Sequence, residues 1–566
     1  MNRISKIFIA LSFLSVSAFA QNNAVPNSWH MMDKNDDGYY GVSAKKAYQF
    51  LQSKNLKSKT VIVAVIDTGI DTLHEDLKSV LWTNKNEIPG NGIDDDKNGY
   101  IDDVHGWNFL GGKDGRNVKV DSDERGRVYY GLKAKWDNKE VNKATLSKTE
   151  LYEYEMFLKA KAEIKGTFTK EQDFSAVDIS GMKELLKTLI ISDSILKKAM
   201  GKDTFTGKEL ELYYTKSFSE RRAKNDFMGI MKSNNMLDQT NFEFISGLQE
   251  YIEFIEGELR KEAARYTPPI EYRKNIVGDD ENNINDVGYG NNDIMADFSM
   301  HGTHCSGIIA AVRNNGKGMD GIADNVRIMS LRVVPDGDEH DKDIALAIRY
   351  AVDNGAQIIS MSFGKSFSPQ KQWVDDAFAY AETKNVLLVH AAGNDAKNVD
   401  TADNFPNPVY INGNKAGNVI TVGASAEPKS GSFTASFSNY GKKEVDVFSP
   451  GFNIYSTLPG GKNYGNLSGT SMACPLVAGI AALTLEYFPT LSAKQLKYVI
   501  EKSAQKPGVK VNKPGTDETV DLSELSKTGG IVNAYEAVKL AATLKGENDT
   551  EKEALPKSKM NKNKKG

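Results

Sequence analysis

At 566 residues the chain exceeds one ordinary hydrophobic core and implies several structural units. Forty per cent hydrophobic and 26% charged residues make a globular composition, and a net charge of −4 gives no global attraction for nucleic acid. Two cysteines exclude a disulfide scaffold.

The chain opens with Arg3 and Lys6 ahead of an apolar run, Ile7 to Phe19, and Ala18-Phe19-Ala20 stands before Gln21. This is the layout of a secretory signal peptide over residues 1–20, too short to span a bilayer. It predicts an exported protein, periplasmic or extracellular, and no later stretch reads as a membrane span. Residues 21–58 read as a short N-terminal extension with one amphipathic piece, Ser43 to Leu51. Within it, Asp33 to Gly38 reads as a solvated turn, because Ala44 stands where a calcium loop needs a bidentate Glu.

Thr60 to Ile66 is continuous and β-branched, which predicts a strand buried on both faces of a parallel sheet. It delivers Asp67 to the carboxyl end, where ligand chemistry gathers in open α/β sheets. The run Asn91 to Asp103 then sets Asp94, Asp96 and Asn98 at alternate positions, followed by Gly99 and Asp102. Oxygen ligands so spaced can wrap a calcium ion, although His105 at the twelfth position excludes an EF-hand. A structural Ca2+ is the expected cofactor.

From 111 to 295 the chain turns Lys- and Glu-rich and predicts a mainly helical insertion. Its clearest helices are Ser180 to Ala199 and Thr240 to Ala264. The second opens with the capping box Thr240-Asn241-Phe242-Glu243 and stops ahead of Pro268-Pro269. Asp279 to Asp293, dense in Asp and Asn, closes it as either a metal loop or a flexible one. Strand and helix then alternate. A buried helix is expected at His301 to Ala311, strands at Val326 to Val333, Ala356 to Phe363, Val386 to Ala392 and Asn418 to Ala424, and a helix at Lys342 to Asp353. Ser432 to Phe448 has an antiparallel look. A buried helix after Cys474, helices at Ser492 to Glu501 and Gly530 to Ala542, and a basic tail over 546–566 complete the chain. The fold class is α/β, a parallel sheet between helices built from 59–110 and 296–545.

Gly469-Thr470-Ser471 sits at the start of the last buried helix. Read alone, it is a helix cap. It is also a place for a nucleophile, because free N–H groups and the positive end of the helix dipole lie beside the hydroxyl. The surrounding motifs favour the second reading. Val65-Ile66-Asp67-Thr68-Gly69-Ile70-Asp71, His301-Gly302-Thr303-His304-Cys305-Ser306-Gly307 and Gly469-Thr470-Ser471-Met472-Ala473-Cys474-Pro475, in that order, resemble the three signature boxes of the subtilisin-like serine peptidases (subtilases). Ala391-Ala392-Gly393-Asn394-Asp395 resembles the oxyanion-hole segment of that family.

The resemblance implies a subtilisin-like sheet and a serine endopeptidase working through an acyl-enzyme. Ser471 would attack, His301 would carry the proton, Asp67 would orient the imidazole, and Asn394 would stabilise the oxyanion. It also implies that Ser362, Phe363 and Gly364 bind substrate backbone, while Ala391, Ala392 and Gly393 form the facing wall of the specificity pocket. Asp76 falls where the family has a calcium carboxylate, with Asn314 on the partner loop. The implied partners are protein or peptide substrates, with no nucleic acid and no membrane span. His304 and His390 read as structural, and Cys305 and Cys474 as free buried thiols.

Three departures stand out. Lys365 occupies the usual place of a second glycine, and Asp338, Glu339 and Asp341 fall in a neighbouring subsite loop, which argues against broad specificity. Residues 21–58 are too few for an inhibitory prodomain. That leaves the insertion as a candidate aid to folding or gate of the cleft. A narrow processing peptidase and a silent peptide-binding protein on the same fold stay open as alternatives.

Overall fold

The computed structural model describes residues 25–166, 177–296 and 299–548. The signal-peptide segment and the tail beyond 548 lie outside these residues. Helix α1 (Ala44–Ser53) leads to β1 (Val61–Asp67) and β2 (Gly106–Asn108). The insertion follows with α2 (Glu124–Trp136), α3 (Lys148–Lys165), α4 (Ile179–Met200), α5 (Gly207–Leu212), α6 (Phe218–Ser233), α7 (Asn241–Ala263) and the short α8 (Tyr272–Ile276). Alternation resumes with α9 (Met300–Ala310), β3 (Val326–Arg332), α10 (Asp341–Asp353), β4 (Ile358–Met361), α11 (Lys371–Thr383), β5 (Leu387–Ala391), β6 (Val419–Ser425) and β7 (Val447–Pro450). A hairpin, β8 (Ile454–Leu458) and β9 (Asn463–Leu467), runs into α12 (Thr470–Tyr487). Last come α13 (Ala493–Ser503), the two-residue strands β10 (Val511–Asn512) and β11 (Thr519–Val520), and α14 (Ala534–Ala541).

Seven strands pair in parallel in the order β2-β3-β1-β4-β5-β6-β7. Helices cover both faces. Val61, Val63 and Val65 of β1 join the core under α9, α12, α13 and α14, while Ala64 and Ile66 join the core under α10 and α11. Side chains alternate across a strand, so a strand buried on both sides must be apolar throughout, which is what makes β1 legible. Helix α12 has the length and composition of a membrane span, but 89% of it is buried and it packs on β1, β4, β5, β6 and β7. It is the core helix.

One expectation changes. Ser432 to Phe448 is largely irregular, and Val447–Pro450 pairs in parallel with β6; the antiparallel ladders are the β8–β9 hairpin and the two-residue β10–β11 pair. The N-terminal segment packs into the core. Trp29, Val42, Ala44, Ala47 and Leu51 lie in the main core, and α1 packs on α14.

The insertion has two parts. Helices α4 to α7 enclose their own core of Met182, Leu189, Phe205, Phe227, Phe244 and Leu248. Helices α2 and α3 instead share a core with Phe367 and Phe405 of the sheet unit. Buried ions reinforce that seam. Fully buried Lys365 lies 2.7 Å from Glu124 and 2.9 Å from Asp341. Arg127 pairs with Glu124 at 2.8 Å and Asp121 at 3.3 Å. His340 bridges Asp121 at 3.0 Å and Glu281 at 2.9 Å. The polar run after α8 anchors in the same way, with Asp279 taking Arg273 at 3.0 Å and Lys342 at 2.7 Å.

Burial and Arg127 both disfavour a charged His340, yet Asp121 and Glu281 raise its pKa to about 9. A raised folded-state pKa means that this stabilisation is complete below the unfolded value near 6.5 and is lost as pH rises to about 9. The melting temperature of the wild type should therefore fall from pH 7 to about 9, and His340→Gln should flatten that fall. A variant with the wild-type slope would refute the linkage.

Candidate active site

Asp67 ends β1, the strand flanked by β3 on one side and β4 on the other, at the point where the winding of the sheet reverses. Its buried carboxylate accepts the Thr68 N–H at 2.7 Å and meets His301 Nδ1 at 2.7 Å. His301 lies in the first turn of α9 with its side chain 31% exposed. The approach depends on Gly302, where a Cβ would sit 2.1 Å from the Gly69 carbonyl oxygen. Burial alone would lower the His301 pKa, but Asp67 overrides it and holds the imidazole well above its ordinary value.

Ser471 lies in the first turn of α12. Pro475, four positions on, has no N–H, so the Ser471 carbonyl loses its helical donor. Two side chains replace it. Ser362 Oγ donates to Ser471 O at 2.9 Å, and Cys305 Sγ donates at 3.4 Å. In return the Ser471 hydroxyl donates to Ser362 O at 3.1 Å. The serine is thereby locked to the end of β4.

Asn394 follows β5. Its Oδ1 accepts both the N–H and the hydroxyl of Thr470 at 2.9 Å, and the Thr470 hydroxyl accepts the Gly393 N–H at 3.1 Å. With its oxygen so occupied, the amide turns Nδ2 toward the Gly469–Ser471 turn, 3.5 Å from where a Gly469 Cβ would lie. A carboxylate, an imidazole, a hydroxyl at a helix start and an oriented amide are the parts needed for acyl transfer. The Subtilase family model matches residues 58–527. The chain belongs to the subtilase family. Thermitase from Thermoactinomyces vulgaris is 38% identical over 244 residues, 42% of this chain and 74% of that protein. Subtilisin DY from Bacillus licheniformis is 37% identical over 215 residues, 38% of this chain and 73% of its own. A thermophilic serine proteinase from Bacillus sp. (strain AK1) is 42% identical over 188 residues, 33% of this chain and 43% of that protein. Membership makes this chain a serine-type endopeptidase.

The remaining expected residues of this subtilase lie as follows. Phe363 and the wall residues Ala391 and Ala392 are buried, and Gly393 has a left-handed φ of 98°. Ala392 O accepts Asn404 and Asn439 amides at 3.0 and 2.9 Å. Gly364 packs so close to Asn404 that a Cβ would lie 2.8 Å from its Oδ1. His390 is buried, pushed by burial to a pKa of about 4, and its neutral ring donates from Nε2 to Phe363 O at 2.8 Å. It also lines a cavity of about 400 Å³ with Tyr152, Lys371, Asn404, Phe405 and Tyr410. His304 bonds the Gly465 carbonyl at 3.1 Å and is structural. Cys305 and Cys474 are free and buried.

The charges expected to narrow specificity are engaged with protein partners. Lys365 is buried against Glu124, Asp341 holds Ser368 Oγ at 3.0 Å and the Gln370 N–H at 2.8 Å, and Asp338 caps the Glu124 N–H at 2.7 Å. Glu339 is buried, which raises its pKa to about 7.

The acidic loop regroups the expected metal ligands. Asp94 accepts the N–H groups of Asn98 and Gly99, and Asp102 those of Gly90, Asn91 and Gly92. Only Asp96 of the expected set joins a carboxylate cluster, with Glu87 and Asp103, whose ligand atoms lie within 4.8 Å of one another. Asn98 contributes its amide to Asp96 and Asp103 rather than its oxygen. Burial raises Asp103 to about 6, with Tyr350, Asn98 and Asn84 opposing. Three facing carboxylates of this kind fit a hard divalent cation. At Asp76 the neighbour is Asn315, one residue beyond the expected Asn314, together with Tyr464 OH at 2.7 Å.

Thr470 is the functional residue that motif reading passed over, because its role lies in a contact with Asn394. Thr470→Val keeps the shape and the backbone N–H to Asn394 and removes the hydroxyl contacts with Asn394 and Gly393. It should lower kcat on a peptide nitroanilide about ten- to a hundredfold with KM nearly unchanged, and Thr470→Ser should retain most activity. Equal activity of Thr470→Val and wild type would refute the clamp. If Glu87, Asp96 and Asp103 hold calcium, chelation should lower the wild-type melting temperature, and Asp96→Asn should remove the difference between calcium-loaded and chelated protein.

Proposed function

We propose that this subtilase is an exported endopeptidase whose triad is Asp67, His301 and Ser471. The observation that carries the proposal is the 2.7 Å contact of His301 Nδ1 with Asp67, beside a serine whose neighbouring amide, Asn394, is fixed by Thr470. With Nδ1–H given to Asp67, Nε2 is the nitrogen left to accept a proton. The Ser471 hydroxyl turns from Ser362 O to His301, loses its proton to Nε2 and attacks the scissile carbonyl. The oxyanion is taken by Asn394 Nδ2 and the Ser471 N–H at the start of α12. Imidazolium then protonates the leaving amine, the C–N bond breaks, and Ser471 remains acylated. Water, deprotonated by the same imidazole, cleaves the ester and restores the hydroxyl.

Export rests on the signal-peptide pattern of residues 1–20. Glu87, Asp96 and Asp103 would hold calcium, whose chemistry here is the neutralisation of a loop and not a step of the reaction. The architecture divides into the sheet unit of 59–110 and 296–545 and the insertion of 111–295, with the N-terminal segment serving the core of the former.

Labelling with a fluorophosphonate tests the reading. Folded enzyme should be modified at Ser471, Ser471→Ala should not label, and an unlabelled wild type would leave a silent binding protein. Asn394→Ala should label but turn over about a hundred- to a thousandfold more slowly, the size measured for the corresponding donor in a subtilisin.

A further inference from the structure

We propose that the loop joining α5 to α6 in the insertion is a docking surface for an anionic lipid bilayer. Large apolar side chains exposed one at a time are ordinary on a protein surface, so clustering is what carries meaning. Leu212 is 86% exposed, Tyr214 85% and Phe218 80%. These are the three most exposed large hydrophobic side chains among the described residues. They fall within seven consecutive positions.

The loop is fixed from behind. Tyr213, between Leu212 and Tyr214, donates its hydroxyl to Glu220 Oε2 at 2.9 Å and lies 3.3 Å from the Ala199 carbonyl. Glu220 also accepts the Lys216 backbone N–H at 2.7 Å. Lys224 donates to the carbonyls of Glu211 and Tyr213, both at 2.8 Å. Phe218 shares a helix face with Arg221 and Arg222, three and four positions on. Ala223, Phe227 and Met231 bury the opposite face of α6 in the core of the insertion. The outward side chains are thus presented by a frame that is already ordered.

Charge selects what covers them. From Leu212 to Lys224 the chain has four cationic residues, Lys216, Arg221, Arg222 and Lys224, against one acidic residue, Glu220. This excess stands in a chain whose net charge is −4. Lys216, Arg221 and Arg222 are exposed and enter no ion pair among the described residues. The neighbouring Glu209 and Glu211 are already paired, with Lys202 at 2.6 Å and Lys232 at 2.7 Å. Apolar side chains bracketed by such cations match an anionic bilayer, where Leu, Tyr and Phe enter the headgroup boundary and the cations meet phosphates. Side chains that stand this clear of the protein suit immersion in a fluid interface. A stable protein partner needs a broader surface, about 800 Å² on each side.

The loop is also tied to the catalytic unit. Thr206, the cap of α5, forms a backbone bridge with Thr240, and the Asn241 N–H donates to Phe205 O at 2.8 Å. Two residues on, Glu243 Oε1 accepts the Asn466 side-chain N–H of β9 at 3.0 Å. A bilayer-bound loop therefore holds the protein at a membrane surface without a spanning helix. Lipid binding does not require Ser471, so its outcome is separable from that of the peptidase reading.

Cosedimentation of the exported protein, freed of residues 1–20, with vesicles tests the surface. One set is phosphatidylcholine alone, and the other contains about one third phosphatidylglycerol. Wild type should partition onto the anionic vesicles at least about tenfold more strongly, given roughly fivefold per cation near such a surface. The triple variant Leu212→Ser, Tyr214→Ser, Phe218→Ser should lower that partitioning at least about tenfold. The triple variant Lys216→Gln, Arg221→Gln, Arg222→Gln should remove most of the preference for anionic lipid. Both should keep the wild-type melting temperature, because the altered side chains are exposed. If the serine variant melts early, the glutamine variant decides. A wild type that stays in solution with both vesicles overturns the proposal. So does undiminished binding by the serine variant, which would assign the affinity to the basic tail. So does self-association that the serine variant abolishes while neither protein binds lipid, which would make a second copy the partner.

Discussion

The Ser471 carbonyl is the constraint on which the site depends. Pro475 leaves it without the donor that a helix would normally provide, and a buried carbonyl left unpaired costs about 1–3 kcal/mol. Ser362 and Cys305 take up that acceptor, and in doing so they tie α12 to β4 and α9. One sequence feature that weakens a helix locally thus joins three elements around Ser471. Because α12 is buried along most of its length against five strands, the position so fixed is inherited from the core and not from a surface loop.

The second constraint is the seam between sheet unit and insertion. Lys365, Glu124, Asp121 and His340 are buried and Arg127 is nearly so, which is expensive unless each charge meets an opposite one. Such a network adds little net stability over apolar packing, but any misregistered docking strands a bare charge. It therefore selects one placement of α2 on the sheet unit. The same unit sets α3 against the segment after β4, where Lys159 and Tyr152 donate to the Ser366 and Ser368 carbonyls.

Much of this was legible in the chain. β1 and most of α12 are apolar runs because both faces or all sides are buried, and the Asp67 and Ser471 boxes lie at their ends, while α9 carries the His301 box in its first turn. Thr240 and Glu243 form the expected capping box at the start of α7. The loop from Asp94 to Asp102 was harder. Short acidic side chains cap their own backbone as readily as they bind metal, and Asp94 and Asp102 do so here, while Glu87 comes from outside the run and Asp103 from its last position. The β8–β9 hairpin was missed and Ser432 to Phe448 misread as antiparallel, since alternation records burial rather than the direction of a partner strand.

The sequence by itself determined which groups are present and in what order: Asp67, His301, Asn394 and Ser471, each at the end of an element whose apolar pattern is local. Tertiary structure decided where those groups point. Thr470 holds Asn394, Ser362 takes the hydroxyl of Ser471, and Glu124 takes the buried Lys365 ammonium. The partners in these contacts lie 76, 109 and 241 residues apart along the chain. No local pattern encodes such pairs, because each donor meets its acceptor only after the sheet and the insertion have packed.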